Sequence, residues 1–356
     1  MFLALNELLK EKTRFVLITL VIFLVSYLTF FLTALAYGLA TSYTQGIEKW
    51  NASGIVLQQD ANDNIARSLI TEQDYEQFVD ENTALLGVGS ATIEAQETDD
   101  VTLFGIDTAD FLRPVTTEGR DIQGAHEVVV SDELKEIGLV LGQEISFKGV
   151  PATYTIVGFT DRATFQTAPI VYMQLETWRT TASDLAGMVG MKDETTVSAL
   201  VTRGLVNTDI YANRALGWQT IRDFSFQLPG YNAQVLTFGM MIGFLIIIAS
   251  FVLAIFMYIL TLQKKSVFGV LKAEGIPSGY IAQSVLAQTI ILAGYGMLLG
   301  LGLTLLSGVA LAGTVPFVVQ PVFFAGIAGL FLICAAIGGM ASVRTVTKID
   351  PVEAIG

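Results

Sequence analysis

Side chains that could carry out acid–base, nucleophilic or metal chemistry are scarce in this chain of 356 residues. It contains one histidine, His126, and one cysteine, Cys334. Zinc sites need several histidine or cysteine ligands, and no such set exists in the sequence. The Gly-x-Ser-x-Gly and His-Glu-x-x-His motifs of common hydrolases are also absent from it. We therefore predict that the chain is not an enzyme and has no metal site.

Neither its paired carboxylates nor its glycines offer another chemistry. Three acidic pairs lack the alternating oxygen donors of a calcium loop, so we interpret them as solvated loop charges. These pairs are Asp99-Asp100, Asp132-Glu133 and Asp193-Glu194. The glycines at 294–302 have the wrong spacing for a phosphate-binding loop, and no Lys-Ser or Lys-Thr follows them. Any use of ATP must therefore come from a partner protein.

Long runs without charge define the elements that position the remaining side chains. No charged residue lies between Glu274 and Arg344, and similar runs follow Arg14 and precede Lys264. A helix needs roughly 20 apolar residues to cross a bilayer. Prolines at 316 and 321 divide the longest run, because proline lacks the amide donor of a helix interior. The pattern predicts four spans, at residues 15–40, 233–263, 283–312 and 322–343.

Basic residues at the span ends predict the orientation, since Lys and Arg are retained on the cytoplasmic side. They cluster before the first span, between the second and third, and after the fourth: Lys10, Lys12, Arg14, Lys264, Lys265, Lys272, Arg344 and Lys348. We expect a multi-pass protein of the cell membrane with both termini cytoplasmic. Residues 264–282 and the tail 344–356 would be cytoplasmic, residues 313–321 a short outer loop, and residues 1–14 an amphipathic helix in the membrane interface.

Residues 41–232 form a different kind of segment, which we expect to be extracellular. They hold 12 Lys/Arg against 28 Asp/Glu, a net charge of −16, while the rest of the chain holds 8 against 5, a net charge of +3. This acidic surface excludes nucleic acid as a partner. The predicted fold class is a polytopic α-helical membrane protein with four transmembrane helices and a mixed α+β extracellular domain inserted between spans 1 and 2.

Short β-rich runs and turn signals support the mixed α+β interpretation of this domain. Strands are predicted at 127–131, 144–147 and 154–159, with a turn at 148–151. Short helices are predicted at 71–79, where Thr71 opens a pattern similar to a capping box, and after Ser131, with that serine as the cap.

Two stretches resemble a known family. Residues 264–277, KKSVFGVLKAEGIP, resemble the segment after the second span of FtsX/MacB-like ABC transporter permeases, and residues 348–355, KIDPVEAI, resemble their carboxy-terminal signature. The run VVVSDEL at 128–134 with LGQ at 141–143 is similar to a stretch of their outer domain. Phe268 departs from the family pattern, in which isoleucine is frequent, and Glu274 stands where an apolar residue is usual.

The resemblance implies a homodimer of permeases joined on the cytoplasmic side by two ATPase subunits. It also implies a short coupling helix that passes nucleotide-driven movement from the ATPase to the membrane. Its residues are Ser266, Val267, Phe268, Gly269, Val270, Leu271, Lys272, Ala273, Glu274 and Gly275. The small residues Gly296 and Gly300 are expected to pack helices closely, either within one subunit or between two.

No Asp, Glu, Lys, Arg or His lies within the four predicted spans, which argues against an ion pathway and favours an amphiphilic cargo. Length and topology resemble the four-span haem-exporter permease subgroup (HrtB-type), so haem is the first candidate cargo. Tyr231 is the predicted iron ligand, Tyr27 and Phe31 are predicted walls, and Phe30, Met240 and Met241 are further candidates. An interfacial aromatic belt would explain any one of these residues equally well.

Two other functions stay open at this point. The cargo could be another amphiphile, such as an antimicrobial peptide, a lipid or a drug. Alternatively, the chain could transport nothing and transmit a mechanical signal to an extracellular cell-wall hydrolase, as FtsX does. In either case membrane lipid would surround the spans, and no intrinsic cofactor is predicted.

Overall fold

The computed structural model describes residues 12–95, 98–108, 110–186, 196–204, 211, 215–263, 265–311 and 315–347. The predicted amphipathic helix at 1–14 and the tail at 344–356 lie largely outside these residues. The chain divides into two compact units. One is Leu39–Gln234, the inserted domain, and the other combines Met1–Gly38 with Val235–Gly356, the helical unit.

The helices of the described residues, in chain order, are α1 (Lys12–Glu48), α2 (Glu72–Tyr75), α3 (Leu175–Ala186), α4 (Ile221–Gln227), α5 (Tyr231–Gln263), α6 (Lys265–Ala273), α7 (Ser278–Ala310) and α8 (Pro321–Thr347). Four of them, α1, α5, α7 and α8, are long and apolar enough to cross a membrane. The predicted fold class, four such helices with a mixed α+β domain inserted between the first and second, is confirmed.

The first helix is longer than its predicted span. It continues to Glu48, although hydropathy falls after Leu39 and polar residues follow. Burial of Thr44 and Ile47, each 1% exposed, gives this polar part of the helix a packed face. Tertiary packing therefore extends the helix beyond the point where membrane hydropathy ends.

The strands are β1 (Gly54–Gln58), β2 (Thr83–Glu94), β3 (Thr98–Ile106), β4 (Thr116–Gly119), β5 (Glu127–Ser131), β6 (Glu144–Phe147), β7 (Thr153–Thr160), β8 (Thr164–Phe165), β9 (Ala168–Gln174), β10 (Ala199–Thr202) and β11 (Leu216–Thr220). The main sheet has the order β11-β1-β10-β2-β3-β9-β5-β7-β4. Pairs β3/β9 and β5/β7 are parallel, and the other neighbours are antiparallel. Since β6 pairs with both β2 and β7, strands β2, β3, β9, β5, β7 and β6 close into a ring.

The sheet separates two apolar cores. One contains Trp178 of α3 and Phe147, and the other contains Phe104, Trp50 and Phe224. Trp178 packs closely on the backbone of β2 and β3. A Cβ added at Gly87 or Gly105 would collide with its side chain. These glycines allow the close approach that a bulkier residue would prevent.

Most local predictions for the domain coincide with the observed elements, since β5, β6 and β7 occupy the predicted strands. The predicted helix at 71–79 is divided into α2 and a 3₁₀ turn at Glu76–Phe78. Ser131 does not cap a helix: its hydroxyl accepts a bond from the Ala163 amide at 3.0 Å, and Asp132–Lys135 forms only a 3₁₀ turn. A tertiary contact has replaced the predicted local cap.

Candidate functional site

The glycines of α7 lie directly against α1 in the same chain. A Cβ at Gly296 would meet Ile22 Cγ2 at 2.7 Å, and one at Gly300 would meet Ser26 Oγ at 2.5 Å and the Tyr27 amide nitrogen at 2.7 Å. Small residues at this spacing let two membrane helices approach closely. The seam between α1 and α7 is therefore internal to one subunit.

Hydroxyl groups join the same two helices beside the glycines. Ser26 Oγ donates to the Ile22 carbonyl at 2.7 Å and also lies 3.3 Å from the Gly296 carbonyl oxygen. The Tyr27 hydroxyl lies 3.1 Å from Ser307 Oγ. Interhelical hydrogen bonds of this kind stabilise association where no hydrophobic effect operates. Tyr27, a predicted cargo residue, is thus also a structural link between α1 and α7.

An apolar groove of about 640 Å³ runs along the seam. The lining residues come from α1 and α7: Val16, Thr19, Leu20, Phe23, Tyr295, Leu298, Leu299, Gly302, Leu303 and Leu306. Phe23 stacks on Tyr27, with ring centroids 6.4 Å apart, so a predicted candidate adjoins the groove. Sequence reasoning did not find this groove. Its only signal was Gly302, whose absent side chain leaves open space.

Aromatic contacts account for two other predicted candidates on α1. The Phe31 ring lies 5.6 Å from both Tyr27 and Phe317, and Phe30 lies 5.2 Å from Phe324. Phe30 is only 2% exposed. Its place in the helical core leaves no surface for a cargo in this structure, so Phe30 is a packing residue here rather than part of an open binding surface.

The remaining candidates belong to different units of the chain. Tyr231 belongs to the inserted domain, where its ring contacts Tyr43 and Phe226, each at 5.7 Å. Met240 and Met241 belong to the helical unit and are exposed on α5, by 59% and 38% respectively. Both residues are therefore exposed on the surface of the described chain.

The short helix α6 occupies the predicted coupling segment. Its side chains divide into an inward face, with Phe268 only 2% exposed, and an outward face that includes Val267 at 49% and Val270 at 45%. Gly269 is also buried, and Glu274 is exposed. Phe268, the departure from the family pattern, therefore belongs to the core of its own subunit. The outward valines present an apolar surface.

The end of α6 is fixed by its own backbone. Gly275 has φ +87°, its amide donates to the Lys272 carbonyl at 3.0 Å, and the Ile276 amide donates to the Leu271 carbonyl at 3.0 Å. These two bonds form a Schellman motif, which ends a helix with a left-handed residue. Pro277 then precedes α7. The capped turn holds α6 in a defined position before the next membrane helix.

Among the described residues, no group of three His, Cys, Asp or Glu side chains could hold a metal ion. Cys334 is half-buried in α8. The described part of the chain offers a groove, an exposed pair of methionines and an apolar face on α6 as surfaces for binding.

The described residues define a polytopic membrane protein with four membrane helices. A large domain is inserted after the first helix, and a capped helix lies between the second and third. Residues 239–351 match the FtsX-like permease C-terminal family. This match covers the carboxy-terminal third of the chain and supports the resemblance to FtsX/MacB-like ABC transporter permeases that the sequence motifs predicted.

Two relatives of similar length align with the whole chain. A protein of Staphylococcus haemolyticus, named "Putative hemin transport system permease protein HrtB", is 25% identical over 359 residues, covering 100% of this chain and 99% of its own. The protein of the same name in Staphylococcus epidermidis is 26% identical with the same coverage. A crystal structure of the extracellular domain of the ABC-type transporter YknZ superposes with a TM-score of 0.31 and 17% identity, over 46% of this chain and 88% of that one.

Proposed function

We propose that this chain is the permease subunit of an ABC exporter that extrudes an amphiphilic cargo from the membrane, with haem as the first candidate. One observation carries the proposal: the similarity to hemin transport permeases extends over the entire chain, including both units. A permease of this class contains no ATPase site, so a partner ATPase supplies the energy.

The proposed assembly is a homodimer with two ATPase subunits on the cytoplasmic side. The positive-inside distribution supports cytoplasmic termini and an extracellular inserted domain. Exposed Val267 and Val270 on α6 support the coupling role, since an apolar face on a short surface helix suits a groove in a partner protein. Nucleotide-driven closure of the ATPases would then move the membrane helices mechanically.

The groove and the candidate side chains, each considered separately, suit a planar amphiphile. The groove between α1 and α7 offers an almost wholly apolar lining with the ring of Phe23 at its wall. Met240 and Met241 offer soft sulfur atoms to an iron centre, and Tyr231 offers a phenol oxygen. In this proposal Tyr231 remains the first candidate for the iron ligand.

A haemin titration of the purified permease, alone and with its ATPase, tests the proposal. We expect a saturable Soret band at a fixed stoichiometry, together with a changed rate of ATP hydrolysis. Iron-free protoporphyrin is the matched control, because it shares the shape of haem but offers no metal to a tyrosine or methionine. No saturable band and no change in hydrolysis would refute haem export.

The same titration separates the competing functions. Another amphiphile that stimulates hydrolysis, when haemin does not, would establish export of a different cargo. A stable complex with a cell-wall hydrolase and no stimulating cargo would establish signalling. A Tyr231→Phe protein that binds and exports haem normally would remove Tyr231 as the ligand while leaving the export function in place.

A further inference from the structure

The tight turn between β8 and β9 contacts the backbone of α1 inside the inserted domain. Residues 39–48 of α1 belong to this domain. Thr164 pairs with Pro169 and Phe165 with Ala168, so the loop consists of two residues, Gln166 and Thr167. This is the shortest hairpin connection in common use, and it places strict demands on the backbone.

The backbone of the turn is strained. Gln166 has φ +50° and Thr167 has φ +72°. Two-residue hairpins often need left-handed conformations at both positions, which Asn-Gly adopts readily. A β-branched threonine there is an outlier, because such conformations are energetically unfavourable for residues other than glycine. Such strain persists only where surrounding contacts hold it.

The contacts that hold the turn are hydrogen bonds to the helix itself. The Gln166 amide donates to the Tyr43 carbonyl at 3.1 Å, and the Thr167 amide donates to the Ser42 carbonyl at 3.2 Å. A carbonyl oxygen has two lone pairs, so each can accept this bond besides its intrahelical one. Two hydrogen bonds between backbone atoms therefore join the strained turn to the helix.

The approach of the turn to α1 depends on a small residue in the helix. A Cβ at Gly46 would lie 3.0 Å from the Thr164 carbonyl oxygen and would collide with the Ile170 side chain. One turn later, Trp50 is 2% exposed and its carbonyl accepts a bond from Arg203 Nε at 3.1 Å. The final turns of α1 are thus packed and hydrogen-bonded to the domain at successive positions.

We propose that the β8–β9 turn is a clamp that makes residues 39–48 of α1 a rigid part of the inserted domain, so that movement of this helix is transmitted to the domain. The inference rests on the proposed function, in which a partner ATPase moves the membrane helices. It adds the contact through which the movement reaches the domain. Because the contact uses backbone amides, its function depends on turn length and conformation rather than on the side chains of Gln166 and Thr167.

Hydrogen exchange on the full-length permease in nanodiscs, with its ATPase and with or without ATP and vanadate, tests the clamp. One variant replaces Gln166 and Thr167 by a longer Gly/Ser loop, which keeps the hairpin but moves the two amides. The matched control is the double substitution Gln166→Asn and Thr167→Gly, which keeps the loop length and favours the left-handed conformation.

In the longer-loop variant we expect exchange at residues 39–48 to become about tenfold faster, since local opening is favoured when tertiary bonds are lost. We also expect the nucleotide-dependent change in domain exchange to disappear while ATP hydrolysis continues. The control variant should behave like the unmodified protein. Wild-type exchange in the longer-loop variant, or an unmodified domain that does not respond to nucleotide, would overturn the clamp.

The outcome is independent of the cargo. A domain that responds to nucleotide through the turn, in a protein that fails the haemin titration, would leave the clamp standing and remove only haem export. Alternatively, haem could stimulate hydrolysis while the longer-loop variant still transmits the nucleotide response. That result would support haem export and overturn the clamp.

Discussion

The hydroxyl group of Tyr27 in α1 lies 3.1 Å from that of Ser307 in α7, although the two residues are 280 positions apart in the sequence. Ser307 Oγ also donates to the Leu303 carbonyl at 2.9 Å. Because the serine proton is used in that bond, Tyr27 is the donor in the interhelical one. A tyrosine predicted as a cargo wall therefore has a structural function in the seam between α1 and α7.

Removing either hydroxyl should weaken this seam. We expect Tyr27→Phe and Ser307→Ala each to lower the free energy of unfolding in detergent, with a coupling of about 0.6 kcal/mol, typical of hydrogen bonds between membrane helices. A double-mutant cycle measures that coupling. Strictly additive losses would show that the two hydroxyls do not interact.

Two glycines of α7 allow the packing of the helices to be tested separately from binding in the groove. Gly300→Val should destabilise the helical unit by about 1–3 kcal/mol, because its side chain would overlap Ser26 and the Tyr27 backbone. Gly302→Val should leave the melting temperature unchanged, since nothing lies within 4 Å of its Cβ, yet it should weaken haemin binding by filling the groove. Equal melting temperatures for both variants would contradict the close approach at Gly300.

Substitutions at two predicted cargo residues, Phe30 and Met240, should differ in their effects on stability. Phe30→Ala should cost about 3–5 kcal/mol, because the buried ring packs on Phe324 and leaves a cavity. Met240→Ala should cost little, since that side chain is 59% exposed, and it should alter the Soret spectrum if its sulfur contacts haem iron. Thermal unfolding and haemin titration of both variants check this, and a stable Phe30→Ala protein would refute the packing role.

The outward face of α6 should be required for assembly with the ATPase. Val270→Glu should reduce recovery of the ATPase with the permease at least about tenfold, because a charge would be buried in an apolar contact. Val140→Glu is the matched control, since Val140 is 60% exposed in the inserted domain. Co-purification quantifies both variants, and equal recovery would exclude this face from the interface.

Acid should weaken the hydrogen bonds that the Glu127 carboxylate accepts in the inserted domain. The Arg120 guanidinium and the amides of Gln123 and Gly124 bond Glu127 and lower its pKa from 4.5 to about 2. A depressed carboxyl pKa contributes stability above pH 4.5 that is lost as pH falls towards 2. The melting temperature should therefore fall less steeply between about pH 5 and pH 3 in Glu127→Gln than in the unmodified protein. Parallel slopes would contradict the depressed pKa.

Local properties of the sequence determined much of this structure. The length of the charge-free runs fixed four membrane helices, because a bilayer core excludes charge and demands a minimum helix length. The β-branched run at 127–131 and the alternating run at 144–147 predicted two strands. The segment from Ser266 to Gly275 carried both the family motif and its own helix stop, since a glycine with a left-handed backbone caps a helix without distant partners.

Only the tertiary structure decided which side chains are accessible and which are structural. Hydropathy cannot distinguish Phe30, which is buried, from Met240, which is exposed, because both are apolar residues in membrane helices. The groove beside Gly302 and the strained turn at Gln166 and Thr167 likewise depend on partners far away in the chain. Such contacts are set by the packing of whole elements, and no local pattern records them.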